Sequence, residues 1–282
     1  MKVRRFFTLA LVATLAALIT VSTVVRATSS TVVVTPTSPN GWVETHTGCG
    51  GVTGSQAFVD GPGNPPLGTG SHQFNIGADG NSFEVIRTAN HNGTLLADIT
   101  TLDYSTYVQV TGSGGQAPYL NLLVDTTGDG VSDDQLFFEP AYQDGNYGFP
   151  NQGTVTVGTW QEWDTVQGGW WALSAGTFGP PLTSLASYAA AHPGARLANS
   201  TLGALRIATG CGAGAWDNFV GNADALTIGA NGNSTTYDFE LHTAPTTAGQ
   251  CKNGGWQTFN PNRPAGPFKN QGDCIQYVNT GK

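Results

Sequence analysis

Short apolar runs broken by turn residues constrain this chain more than any other feature. Between Gly41 and Leu241, stretches rich in Val, Ile, Thr, Tyr and Phe alternate with clusters of Gly, Asn and Asp, the pattern of strands joined by turns. Examples are Phe83 to Arg87, Tyr104 to Val110, Tyr119 to Val124, Gln135 to Phe138, Thr154 to Trp160, Ala204 to Ala208, Ala225 to Ile228 and Thr235 to Leu241. Period-2 alternation in Tyr107-Val108-Gln109-Val110 and in Thr154-Val155-Thr156-Val157 gives one face to a core and one to solvent. With 39 Gly, 15 Pro and 11% charged residues, the chain has little material for long surface helices. The expected fold is all-β, with about eight to twelve strands in a two-sheet, jelly-roll-like sandwich. One short helix interrupts it: Leu182, Leu185, Ala186, Tyr188 and Ala189 recur at helical spacing, with Thr183 or Ser184 as cap and His192-Pro193-Gly194 as stop.

The first residues read as an export signal. Lys2, Arg4 and Arg5 precede an apolar run from Phe6 to Val25, and Val25-Arg26-Ala27 is a small-residue cleavage site, so residues 1–27 are predicted to be removed. A retained anchor is the competing reading, but Thr8, Thr14, Thr20, Ser22 and Thr23 dilute the run. No second long apolar segment follows, so no membrane span is expected after cleavage, and the product is expected to be secreted or extracellular. Loss of Lys2, Arg4, Arg5 and Arg26 leaves seven basic residues against 19 acidic ones, a net charge of −12. Nucleic acid is excluded as a partner, because no basic cluster remains to neutralise phosphates.

Composition divides the rest. The Thr/Ser/Pro-rich residues 28–40 read as a disordered N-terminal linker, 41–242 as the sandwich, 243–250 as an Ala/Thr/Pro/Gly linker and 251–282 as a small C-terminal module. Four cysteines in an exported chain imply disulfides. Cys251 with Cys274 is the favoured pairing, because both lie in a short tail with little core of its own. Cys49 with Cys211 then follows by elimination.

Three segments could carry chemistry. Asp125-Thr126-Thr127-Gly128-Asp129-Gly130-Val131-Ser132-Asp133-Asp134 gathers four carboxylates, Asp125, Asp129, Asp133 and Asp134, around two glycines. Such a loop suits Ca²⁺, a hard cation that takes several oxygen ligands. Against the EF-hand pattern, Thr127 stands at the third position and Leu136 at the twelfth, so a solvated Asp/Gly hairpin turn is the other reading. The second candidate is aromatic. Trp163, Trp170 and Trp216 with Asp217 and Asn218 resemble a sugar platform, in which an indole covers the apolar sugar face and polar neighbours take hydroxyls. Core packing is the alternative, and Trp160 and Trp171 are expected to be buried. The third is a set of acids, Glu139, Glu162, Asp164 and Glu240, among which no spacing singles out a glycosidase pair. No catalytic residue is therefore assigned.

Several stretches carry a resemblance: Ser38-Pro39-Asn40-Gly41-Trp42, Gly61 to Ser71, Ile99-Thr100-Thr101-Leu102-Asp103-Tyr104-Ser105-Thr106-Tyr107, and Ala223-Asp224-Ala225-Leu226-Thr227-Ile228-Gly229 before Thr235 to Glu240. Over Asn40 to Leu241 the chain resembles bacterial secreted proteins with a concanavalin- or laminin-G-like jelly-roll sandwich. The tail, with Gly254-Gly255-Trp256-Gln257 and Phe268 to Cys274, is similar to a short Cys-containing module that ends many exported bacterial proteins. The resemblance implies no catalytic residue. The expectation is a non-catalytic extracellular or cell-surface module that binds glycan or another extracellular ligand; the alternatives are a sandwich-fold glycoside hydrolase or lyase and a purely structural wall protein.

Overall fold

A computed structural model describes residues 27–49, 54–212, 214–259 and 268–280. Apart from Ala27, the expected export signal lies outside the described residues. The fold is a two-sheet β-sandwich with two α-helices among the described residues. Its strands are β1 Thr28–Val34, β2 Trp42–Gly48, β3 Ser55–Asp60, β4 Gly70–Asn75, β5 Ser82–Thr88, β6 Ile99–Val110, β7 Tyr119–Asp125, β8 Asp134–Phe138, β9 Trp160–Asp164, β10 Trp171–Ala172, β11 Arg196–Leu197, β12 Leu205–Gly210, β13 Val220–Ala230 and β14 Asn233–Phe239. The helices are α1 Leu185–Ala191 and α2 Gln271–Thr280.

The first sheet runs β1-β14-β13-β4-β3, with β6 bonded to β13 and β9 bonded to β6. The second runs β10-β8-β7-β12-β5-β2, with β11 added beside β7. Alternation decides what lies between them. Leu102 and Tyr104 of β6, Trp163 of β9 and Leu226 and Ile228 of β13 meet Leu120 and Leu122 of β7, Leu136 and Phe138 of β8, and Leu205 and Ile207 of β12 in one core. Two of the buried rings have their polar atoms bonded: the Tyr104 hydroxyl donates to the Pro118 carbonyl at 2.8 Å, and the Trp163 indole donates to Thr106 Oγ1 at 2.8 Å, whereas Trp42 Nε1 is buried without a partner.

Three expectations change. The predicted linker 28–40 is not disordered at its start: Thr28–Val34 forms β1, parallel to β14 in register from Thr28↔Asn233 to Val34↔Phe239, and Val34 reaches the core. Its polar composition hid a strand whose partner is 205 residues away. The run Thr154 to Trp160 is not one strand either. Val157 makes a single bridge to Val108 and β9 starts only at Trp160. The Gln161 amide accounts for this, since it accepts from Thr156 N at 2.7 Å and donates to the Thr154 carbonyl at 2.8 Å, closing a loop where a ladder was expected. The third change is a second helix, α2, in the tail.

The predicted helix is α1, capped by Ser184, whose hydroxyl accepts from Ser187 N at 3.0 Å. Both disulfides pair as expected, Cys49 with Cys211 and Cys251 with Cys274, at Cα separations of 5.3 and 5.7 Å. In the tail, Cys251, Phe268 and Cys274 form a small core that Trp256, Ile275 and Tyr277 flank. No described helix is long and apolar enough to cross a membrane.

Candidate functional site

The predicted platform residues do not come together on the surface. Trp163 and Trp170 are both 0% exposed, packed between the sheets, and the Trp170 indole donates to the Thr165 carbonyl at 2.8 Å. Strand phase is the physical reason. In β9 the inward residue is Trp163 while Trp160, Glu162 and Asp164 point out, and Trp170 and Trp171, being consecutive, point to opposite faces. Trp160 is half-buried and donates to the Pro62 carbonyl at 2.9 Å. Asp217 and Asn218 shape a turn: Asp217 Oδ1 accepts from Ser113 N at 2.8 Å, which holds its carboxyl below the usual range, and Asn218 adopts φ +56°. Trp216 alone of the predicted set lines a cleft.

That cleft, about 410 Å³, lies on the outer face of the second sheet. Gln135, Phe137 and Glu139 approach it from β8 and the residue after it, alternating with Leu136 and Phe138 of the core. Trp171 of β10 stacks flat on Phe137, with ring centroids 3.9 Å apart at 6°. Tyr119 of β7 lies 6.1 Å from Phe137 and 5.7 Å from Trp216. Phe178, 87% exposed, stands at the rim 6.2 Å from Trp171.

Glu139 is the acid of this cleft. Trp171 donates its indole N–H to Glu139 Oε1 at 2.8 Å, yet burial pushes the carboxyl up to about 6. The sequence reading missed Tyr119, Phe137, Trp171 and Phe178 as site residues. The usable signal was the alternation Gln135-x-Phe137-x-Glu139, which places two polar residues and a ring on one strand face.

The remaining acids lie elsewhere. Asp103 of β6 pairs directly with Asp164 of β9, and Ser105 pairs with Glu162, so three carboxylates share an open depression of about 520 Å³ on the outer face of the first sheet. Burial, then Asp164 and Glu162, push Asp103 up to about 6. Glu240 is buried beside Asp224 and Asp238. It accepts from Thr69 N at 2.8 Å and Gly70 N at 3.1 Å, and burial drives it up to about 7.

The acidic loop joins β7 to β8. Asp125, Asp129 and Asp133 bring carboxylate oxygens within 4.8 Å of one another. Asp125 accepts from Thr127 N, Gly128 N and Gly130 N, and Asp133 from the backbone and hydroxyls of Thr126 and Thr127. Although burial raises Asp125, these bonds outweigh it and hold the carboxyl low. Gly128 and Gly130, at φ +86° and +89°, allow the chain to curl around Asp125. Asp134 does not join the cluster. It turns away to accept from Ser174 N at 2.9 Å and the Tyr188 hydroxyl at 2.8 Å, so it anchors α1. Leu136, at the twelfth position, is in the core and offers no ligand atom.

No family model and no curated protein matches the chain. One similar solved structure is described as "Structural basis for the promiscuous specificity of the carbohydrate-binding modules from the beta-sandwich super family". The two chains are 13% identical with a TM-score of 0.30, and the match covers 67% of this chain and 56% of that one.

Proposed function

We propose that this protein is a secreted, non-catalytic module that binds glycan in the cleft on the outer face of its second sheet. The observation that carries the reading is the cleft itself, in which the half-buried Phe137 and the exposed Phe178 offer ring surface over the buried Tyr119 and Trp171, edged by Gln135 and Glu139. Rings supply apolar area for a sugar face, and the amide and carboxyl take hydroxyls. Two disulfides and the N-terminal export signal support an oxidising, extracellular setting. The reading includes a weak Ca²⁺ site on Asp125, Asp129 and Asp133, which would stiffen the β7–β8 connection. A glycan array probed with the full chain tests the main proposal. A Phe178→Ala variant should bind its hits about tenfold more weakly, and an array without hits sinks the proposal.

A second reading, a glycoside hydrolase, rests on Asp103, Glu162 and Asp164. Directly opposed residues have Cβ atoms roughly 4.5–5.5 Å apart, near the carboxyl spacing of about 5 Å in retaining enzymes. One acid raised toward 6 beside two others is a usable donor. Reducing sugar released from polysaccharide, and lost in Glu162→Gln, would favour it; no release at any pH from 4 to 8 removes it.

A further inference from the structure

Two of the rings that line the cleft, Phe137 and Trp171, begin a row of side chains that continues past the cleft's own lining. Strand register places Trp171 opposite Phe137, Phe137 opposite Asn121, Asn121 opposite Arg206 and Arg206 opposite Arg87. These five side chains form one transverse row on the outer face, from β10 through β8, β7 and β12 to β5. Two arginines stand side by side at one end and an aromatic stack at the other.

The arginine pair lacks a counter-charge. The ion pairs among the described residues are His46 with Glu84 and His72 with Glu44, so no described carboxylate lies within 4.0 Å of either guanidinium. The Nε atoms of Arg87 and Arg206 are both buried without a hydrogen-bond partner. Arg206 makes one polar contact, from Nη1 to Asn121 Oδ1 at 3.1 Å, and Arg87 is 9% exposed. Burial, then the neighbouring Arg87 charge, draw Arg206 down to about 10. Like charges directly opposite on a sheet destabilise it. In a chain with 19 acids and 11 basic residues, structural stabilisation alone would set one of those acids here.

We infer that the counter-charge arrives with the ligand: an acidic glycan lies from the cleft onto the neighbouring strands, its sugar ring toward Phe137 and Trp171 and its carboxylate or sulfate held by Arg206 and Arg87, which stand outside the cleft's own lining. Arginine suits this role, because its planar fork matches either anion in two parallel hydrogen bonds. Glu139 lies at the opposite, aromatic end, so the row is polar along its length and fixes which way an acidic chain lies. The inference rests on the glycan-binding proposal and adds the ligand's charge to it.

The test uses the full chain on an array of neutral, uronic and sulfated oligosaccharides. Calorimetry follows with trigalacturonate, its methyl ester and a sulfated disaccharide, which separates carboxylate from sulfate. The expected result is binding of an acidic probe at least tenfold tighter than of its neutral counterpart. Arg206→Gln and Arg87→Gln should each lose tenfold or more for that probe, and Arg206→Lys should recover only part. Melting curves of every variant guard against loss through unfolding. Hits confined to neutral glycans, or acidic affinity unchanged in both Gln variants, overturn the inference and leave the glycan reading standing. An array without hits overturns both.

Discussion

The outer face of the first sheet presents Asp103, Glu162 and Asp164 across β6 and β9, and further along it Asp224, Asp238 and Glu240. The outer side of the second carries Phe137, Trp171, Arg206 and Arg87, with Tyr119 buried there in a second apolar cluster that includes Val85, Ala208, Trp216 and Phe219. Between the sheets, by contrast, both contribute the same kind of side chain, leucine, isoleucine and aromatic rings. The core demands apolar volume from either sheet, and part of the aromatic outside answers the same demand in the second cluster, whereas nothing in folding requires the acids of one outside or the paired arginines of the other. That asymmetry is where function is to be sought.

The largest effect should come from the shared inside. Trp163→Ala removes a fully buried indole and its bond to Thr106, and should cost about 3–5 kcal/mol in chemical denaturation. Glycan affinity of the folded fraction should be unchanged; a lost affinity with an unaltered melting temperature would return Trp163 to the surface platform it was expected to form.

The acidic face should show itself through pH. Glu240 is raised to about 7 from 4.5, so the folded state binds its proton more tightly than the unfolded chain does. Its contribution is fully present below about pH 4.5 and is lost as pH rises through about 7. Shared with Asp238, the shift amounts to on the order of 2 kcal/mol. Glu240→Gln should therefore gain on the wild type by that amount between pH 5 and pH 8, read from melting temperatures; parallel pH profiles would mean the carboxyl is ionised when folded.

On the aromatic face the opposite separation is expected. Phe178→Ala should leave stability within about 0.5 kcal/mol and lower glycan affinity about tenfold, or about 1.4 kcal/mol, by calorimetry. The smallest effect belongs to the loop between β7 and β8. Ca²⁺ at about ten times its Kd should stabilise EDTA-stripped protein by about 1.4 kcal/mol, and Asp129→Asn should abolish the gain while Asp134→Asn leaves it. No shift in melting temperature with Ca²⁺ would make the loop a turn and nothing more.

Local signals made much of the fold legible. Val/Ile/Tyr runs ending in Gly and Asn located β5, β7, β8 and β12, the Ser184 cap and His192-Pro193 stop delimited α1, and tail composition singled out Cys251 and Cys274. The site was less legible. Trp163 and Trp171 read alike in sequence, as tryptophans in short strand-like text with polar neighbours. Trp163 and Trp170 were expected at the surface and lie in the core because a period-2 pattern states that two faces exist without stating which is inside.

What the sequence by itself determined is the class of element at most positions, since turn chemistry and capping act over a few residues; for the four cysteines it favoured one of three pairings without fixing it. Tertiary structure alone decided that Thr28–Val34 lies along β14, that Asp134 leaves the acidic loop to hold Ser174 and Tyr188, and that Arg87 faces Arg206 beside an aromatic stack. Each of these depends on contacts between residues far apart in the chain, and no local propensity encodes a register between strands separated by a hundred residues or more.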